Sequence, residues 1–514
     1  MWNRLPYSTV RAEREAILAW LLCTFLLACG GCAPTPEPAL RFGLPTAPTT
    51  LDPRHATDAQ AARLCRLLYV QLTDFDLTFR PRAVAARDWK AVSPTRYRVR
   101  LRRDLRFHDG SPLTAEDVAA TYRSVLDPAE ASPLRGPLAH VRHVEVRDTH
   151  TIDFVLTRPD PLFPGLLGLG ILRAHELAAA APPSQFTGSG AFRLRANPSP
   201  DRIRVERLRD GLQVDFVVVP DETTRALMIA RGELDVAQGA MTPEISTWLA
   251  QAPDIELALQ PGTVYTYLGF NLEDGPTQAW RVRRAIAHAI DRAALVHHVF
   301  RDQARLAAGI LVPEHWAGSR VDRAPPYDPE RARALLAELG YGPARPLRLT
   351  YKTSTDPFRR RLASVLQHQL AAVNIRLEVR SHDWGTFFGD IRTGNFELYS
   401  LSWVGLQMPD IYRNAFHSQS VPPAGANRGR YASAEVDALI EAAEQHASEA
   451  GMARGFRAVA RAIAHDLPYL SLWHEHIVVV TGPRARGYDT DLHGQYDRLA
   501  TFEPPGVPVH AAAH

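Results

Sequence analysis

Cysteine is scarce in this chain, with four residues in 514. So few cannot build a disulfide framework, and packing has to hold the core. An excess of one charge sign is missing too, since 59 Lys and Arg face 56 Asp and Glu. That balance gives no footing for a nucleic-acid partner. No apolar run is long enough for a comfortable membrane span; the run from Ala16 to Ala28 has the length of a signal-peptide core. Internal repeats with a period of roughly 20–50 residues and low-complexity tracts are absent, which excludes solenoids and arrays. Neither G-x-S-x-G nor H-E-x-x-H occurs, which removes the nucleophile elbow and the simplest zinc-hydrolase motif.

What is present begins at the N-terminus. Arg4, Arg11 and Arg14 precede the apolar run, which ends in "LLACGGCAPTPEP". Leu26 and Ala28 frame Cys29 in a pattern that resembles the lipobox of bacterial lipoproteins. The resemblance implies export, a lipid on Cys29 with Cys32 as the alternative, and attachment to a membrane in the cell envelope. The Pro-rich stretch that follows suits an extended tether. Cys65, in "AARLCRLLYVQL", sits among apolar residues at helical spacing and reads as core.

Beyond the tether, strand and helix signals alternate, as in an α/β protein, and the length calls for two or more lobes. "RYRVRLR" (96–102) puts Tyr97, Val99 and Leu101 on one face of a half-buried strand. "HVEVRDTHTIDFVL" (143–156) reads as a hairpin. In "FHDGSPLTAEDV" (107–118) a His-Asp pair suggests catalysis, but Thr114 and Asp117 form a capping box, Leu113 and Val118 a hydrophobic staple, and "DGSP" a turn. The phrase is a structural joint, with Val118, Tyr122, Val125 and Leu126 as the buried stripe of the helix it opens. In "YDPERARALLAELGY" (327–341), Asp328 caps, Pro329 takes the first turn, Ala332, Leu335, Leu336 and Leu339 face the core, and Gly340 ends the helix. "WRVRRAIAHAIDR" (280–292) aligns Val282, Ile286 and Ile290.

"TLDP" (50–53), "RFHDGSPLTAEDVAATY" (106–122), "GSGAFRL" (188–194), "PDETTRALMIARGELDVA" (220–237), "YLGFNL" (267–272), the two helices above and "DLPYLSLW" (466–473) follow in order. Together they resemble the extracellular solute-binding proteins of peptide ABC importers, the oligopeptide- and dipeptide-binding proteins, over residues 40 to 500. The resemblance implies an α/β, two-lobed periplasmic-binding-protein-like fold, a Venus flytrap with an extra subdomain in the first lobe. The expected segments are a signal peptide (1–28), a tether (29–39), lobe I (40–69, 186–266 and 476–514), its extra subdomain (70–185) and lobe II (267–475). The hinge crossings are expected near "YLGFNL" and "LWHEHIVVV" (472–480). The expected partners are a peptide or peptide-like solute, an ABC permease and its ATPase; a monomer without cofactor, metal or catalytic residues follows.

The resemblance also implies a ligand-binding set. Trp384 and Trp403 stand at the family's two tryptophan positions in the cleft-lining stretch 382–406, and Thr57 and Ala59 match the stretch beside the ligand's amino end. Here the chain departs from the pattern. Where peptide-binding members place an Asp for the α-ammonium, three residues past the second tryptophan, this chain has Leu406. Ser400 stands where some use Arg for a carboxylate, and "NxxYW" gives way to "NPSPDRIRVERLRDG" (197–211). Asp410 is the nearest acid. These departures lead to the expectation of a solute without a free α-amine. The alternatives are a solute sensor that does not import, a binder of a metal chelate, sugar or other organic solute, and an exported metal-dependent hydrolase. For the last, His474 and His476 share a strand face, but no third ligand is apparent.

Overall fold

A computed structural model describes residues 39–505, apart from 196–198, 200, 322–323 and 447. The expected signal peptide, Cys23, Cys29, Cys32, the tether up to residue 38 and the last nine residues lie outside the described residues.

In chain order the strands begin with β1 (Leu40–Leu44), β2 (Thr73–Phe75), β3 (Pro81–Ala83), β4 (Ala86–Ser93), β5 (Arg96–Leu101), β6 (Val141–Asp148) and β7 (Thr151–Leu156). Next come β8 (Phe192–Leu194), β9 (Arg202–Arg207), β10 (Gln213–Val218), β11 (Val236–Gln238), β12 (Glu256–Phe270) and β13 (Ala304–Leu306). The last are β14 (Leu347–Ser354), β15 (Ile375–His382), β16 (Leu398–Trp403) and β17 (Tyr469–Thr481).

One large sheet runs in the order β15-β14-β16-β12-β17-β11-β1-β10-β9-β8, with β13 also on β17. Its middle is an antiparallel ribbon of the two longest strands, paired from Glu256 opposite Thr481 to Gly269 opposite Tyr469. At one end of this ribbon β11 joins β17 through Val236 and Thr481. At the other end β16 joins β12 from Tyr265 opposite Trp403 to Phe270 opposite Leu398. The ribbon therefore belongs to both halves of the sheet, and the expected hinge crossings fall on it. Register slips between Pro261 and Tyr265. Pro261 donates no ladder hydrogen bond, and a Cβ on Gly262 would collide with the Glu475 carbonyl, so the irregularity is written into the sequence.

Each half has its own core. Leu40, Phe42, Leu64, Val205, Phe216 and Tyr496 fill one side of the first half. In the second half, Ile286, Leu336, Leu349, Leu366 and Trp473 pack on one face of the sheet and Tyr267, Tyr399, Tyr412 and Phe456 on the other. A separate four-stranded sheet, β4-β5-β7-β6, closes over Val99, Val118, Tyr122, Ile152, Phe154 and Phe163. This is the α/β, two-lobed architecture that the sequence suggested.

The phrase at 107–118 is a joint, as read from the sequence. Asp117 accepts from the Thr114 backbone N–H at 2.8 Å and opens the helix Ala115–Leu126. Its other oxygen accepts from the Ala174 N–H at 3.0 Å. The His108 N–H donates to the Gly188 carbonyl at 2.8 Å, and its ring Nε2 lies 3.0 Å from the Gly190 carbonyl. A Cβ on Gly190 would strike the Leu67 carbonyl, so "GSG" is glycine-rich because two backbones meet there.

Candidate functional site

Strands β14, β15 and β16 are parallel, so their carboxyl ends open on one edge of the second half. In open α/β sheets that edge is where ligands gather. Two short links and one longer loop leave it. Asp356 caps the helix Pro357–Ala371 by accepting from the Arg359 N–H, and Asp383 caps Trp384–Thr393 by accepting from the Thr386 N–H. After β16 the chain instead runs through residues 404–410 before the helix Ile411–Phe416.

The caps set the aromatic groups. Trp384 and Phe388 are four residues apart on one helix face, and their rings stack at 5.5 Å with planes 10° apart. Trp384 is 59 % exposed. Arg428, from the loop before the helix Ala434–Glu444, lays its guanidinium 5.4 Å from the Phe388 ring and 4.7 Å from the Trp403 ring. Trp384, Phe388, Arg428 and Trp403 thus form one column. Below it Nη1 of Arg428 donates to the Tyr267 hydroxyl at 3.2 Å, and the Tyr267 ring stacks on Tyr469.

The 404–410 loop reaches the first half. Met408 lies against Gly165, which also borders Phe75. His315 holds the loop: its Nδ1 accepts from the Ala317 N–H at 2.9 Å, leaving Nε2–H to donate to the Gln407 carbonyl at 3.2 Å. Burial pushes the His315 pKa down to about 4, so the ring is neutral as this tautomer requires. Gln407 shares a cavity of about 300 Å³ with Pro53, Ala56, Gln71, Gly168 and Gln495. Asp410 is open to solvent yet surrounded by protein. Desolvation, then the nearby Asp160 and Glu444 carboxylates, push its carboxyl up to about 6.

At the ribbon, polar groups from both halves of the ladder meet. The Thr266 hydroxyl lies 2.7 Å from that of Ser402 and donates to Glu475 at 3.0 Å, while Arg359 donates to Ser402 at 2.8 Å. Arg361 pairs with Glu244 at 3.0 Å, joining a helix of each half.

Of the residues expected from sequence, Trp384, Trp403, Leu406 and Asp410 come together on this edge and its loop. Leu406 is half-buried against the second-half core. Thr57 and Ala59 are exposed on either side of Asp58, the N-cap of the helix Ala59–Leu68, and it is their neighbours Pro53 and Ala56 that line the cavity. Ser400 is 3 % exposed within β16, so a solute at the strand ends has no access to it. Cys65 is buried, and that burial raises its thiol to about 12. His474 is buried against Tyr265. Among the described residues no group of three His, Cys, Asp or Glu is placed to hold a metal ion. Phe388 was readable from its spacing to Trp384. Arg428 and Asp160 carried no signal, because tertiary folding alone brings them to the site.

A two-lobed sheet sharing a ribbon, with an aromatic edge and a loop facing the other half, defines the class of periplasmic-type binding proteins. The chain belongs to the bacterial extracellular solute-binding proteins, family 5, whose middle-region model matches residues 80–423. It is 27 % identical to di/tripeptide-binding protein 2 of Pseudomonas aeruginosa over 76 % of this chain and 80 % of that one. It is 26 % identical to the glutathione-binding protein of Escherichia coli K12, covering 86 % and 90 %. The crystal structure of an ABC transporter substrate-binding protein, CtaP of Listeria monocytogenes, superposes with a TM-score of 0.81 at 20 % identity, covering 91 % of this chain and 99 % of that one. Membership in an extracellular family makes this an exported protein. No helix among the described residues is long and apolar enough to cross a membrane.

Proposed function

We propose that this chain captures a peptide or peptide-like solute between its two lobes and hands it, unchanged, to the permease and ATPase of an ABC importer. The observation that carries the reading is the β12–β17 ribbon, common to both halves and interrupted at Pro261 and Gly262, which gives the lobes a place to turn about a bound solute. Relatives named for di- and tripeptides and for glutathione support the solute class. We assign lobe I to 40–69, 186–266 and 476 onward, its extra subdomain to 70–185 and lobe II to 267–475. Attachment through a lipid on Cys29 completes the assignment; intact mass of the membrane-extracted protein checks it, with an unlipidated N-terminus or a lipid on Cys32 as the contrary results.

The amino end of the solute meets Asp410. Leu406 offers no charge, but Asp410 lies on the same loop, close to Asp160 and Glu444, with no cationic partner among the described residues. An ammonium group there relieves the repulsion among these acids. We propose this in place of the amine-free solute expected from Leu406, and loss of binding on N-acetylation of a tight-binding peptide decides between the two. Native mass spectrometry of the protein isolated from its own host tests the function. A co-purified peptide-like molecule is expected; a sugar or metal chelate in its place, or chemical turnover of the bound molecule, overturns it.

A further inference from the structure

We infer that Arg428 is the anchor for a carboxylate of the solute and makes this cleft selective for solutes that carry one. The inference rests on the binding-protein reading above and goes beyond it in naming the group recognised and the residue that recognises it.

Arg413 and Arg430 nearby are paired with Glu444 and Glu273. Arg428 is half-buried, and no carboxylate pairs with it among the described residues. Among the described residues its side chain donates one hydrogen bond, to a neutral hydroxyl, that of Tyr267. Two aromatic rings, Phe388 at 5.4 Å and Trp403 at 4.7 Å, contact the guanidinium and restrict its movement. With Nη1 taken by Tyr267, the guanidinium keeps further N–H donors free, and a planar guanidinium fork matches a carboxylate. Aromatic faces and a tyrosine hydroxyl neutralise a buried cation only in part.

A second unmet donor lies in the same column. The Trp403 indole N–H is buried with no acceptor among the described residues. A buried donor left unpaired costs about 1–3 kcal/mol, so an oxygen-rich group arriving at this end of the column is favoured on two counts. Position agrees as well. Trp403 ends β16 and the exposed Trp384 follows β15, so the column stands at the carboxyl-end edge of the second-half strands.

Calorimetry on the full chain stripped of ligand tests this with two probes, trialanine and glutathione, each compared with its carboxamide form. The acid forms should bind about ten- to a hundredfold more tightly than the amides. Arg428→Gln should abolish that preference, costing the acids at least about tenfold more than the amides, and Arg428→Lys should keep part of it. A purely structural arginine would weaken acids and amides alike, and circular dichroism of each variant confirms that it is folded. Equal binding of acid and amide by the unaltered protein, which needs no variant, overturns the inference and leaves the binding-protein reading standing. Failure of all four probes to bind overturns the peptide reading and this inference with it.

Discussion

Asp410 holds a carboxyl that the protein has made reluctant to ionise, with desolvation and the carboxylates of Asp160 and Glu444 raising its pKa to about 6. A ligand ammonium favours the ionised form, so binding of a free-amine peptide lowers that pKa and releases a proton. Affinity for such a peptide should therefore rise as pH rises through about 6, while affinity for the N-acetylated peptide should stay flat. Calorimetry at pH 5 and pH 7.5 measures both. Asp410→Ala should cost the free-amine peptide about tenfold or more and the acetylated one little. Equal losses for the two peptides would remove Asp410 from the amino-end site. Leu406 was legible in the sequence as a missing charge. Asp410 was legible as the nearest acid, but the closeness of Asp160, 250 residues earlier, was not, because only the fold brings it near.

The elements were more legible than the contacts between them. The strand at 96–102, the hairpin at 143–156 and the helix after Thr114 follow from local rules, since period, turn residues and caps all act within a few positions. Asp117 shows where local reading stops. Its capping role was visible in sequence, whereas its second bond, to the Ala174 N–H, joins two helices through a partner 57 positions away. Asp117→Ala should accordingly cost more than a cap alone, about 2–3 kcal/mol against the usual ~1. Urea denaturation gives the value, and a loss of 1 kcal/mol or less would show that the bond to Ala174 adds nothing. The irregularity of β12 was equally present in sequence as Pro261 and Gly262, but its meaning came only with β17 beside it.

Across the whole molecule, buried histidines set the response to acid. Burial holds His315 and His474 near pKa 4 in the folded chain against an ordinary 6.5. Between those values the unfolded chain binds more protons, so their contribution to stability is lost as pH falls from about 6.5 to 4. Asp410 acts in the opposite sense, gaining as pH falls through about 6, but one solvent-open carboxyl does not outweigh two buried rings. Glu145, held at about 2 by Arg96, His143 and Arg147, contributes above about 4 and is lost only below that. The melting temperature should thus be lower at pH 5 than at pH 7.5, and His315→Gln should flatten part of the slope; a higher value at pH 5 would contradict the assignment of neutral rings. Two lobes and the stretches that link them were legible in chain length and in the ordered family phrases, while the pairing of those stretches into one ribbon, with its break at Pro261, was not. Closure about that ribbon would bury the solute between the lobes, and small-angle scattering tests it on protein stripped of ligand and then saturated with the solute that native mass spectrometry identifies. The radius of gyration should fall on saturation. An unchanged radius, with calorimetry showing the site full, would contradict the account.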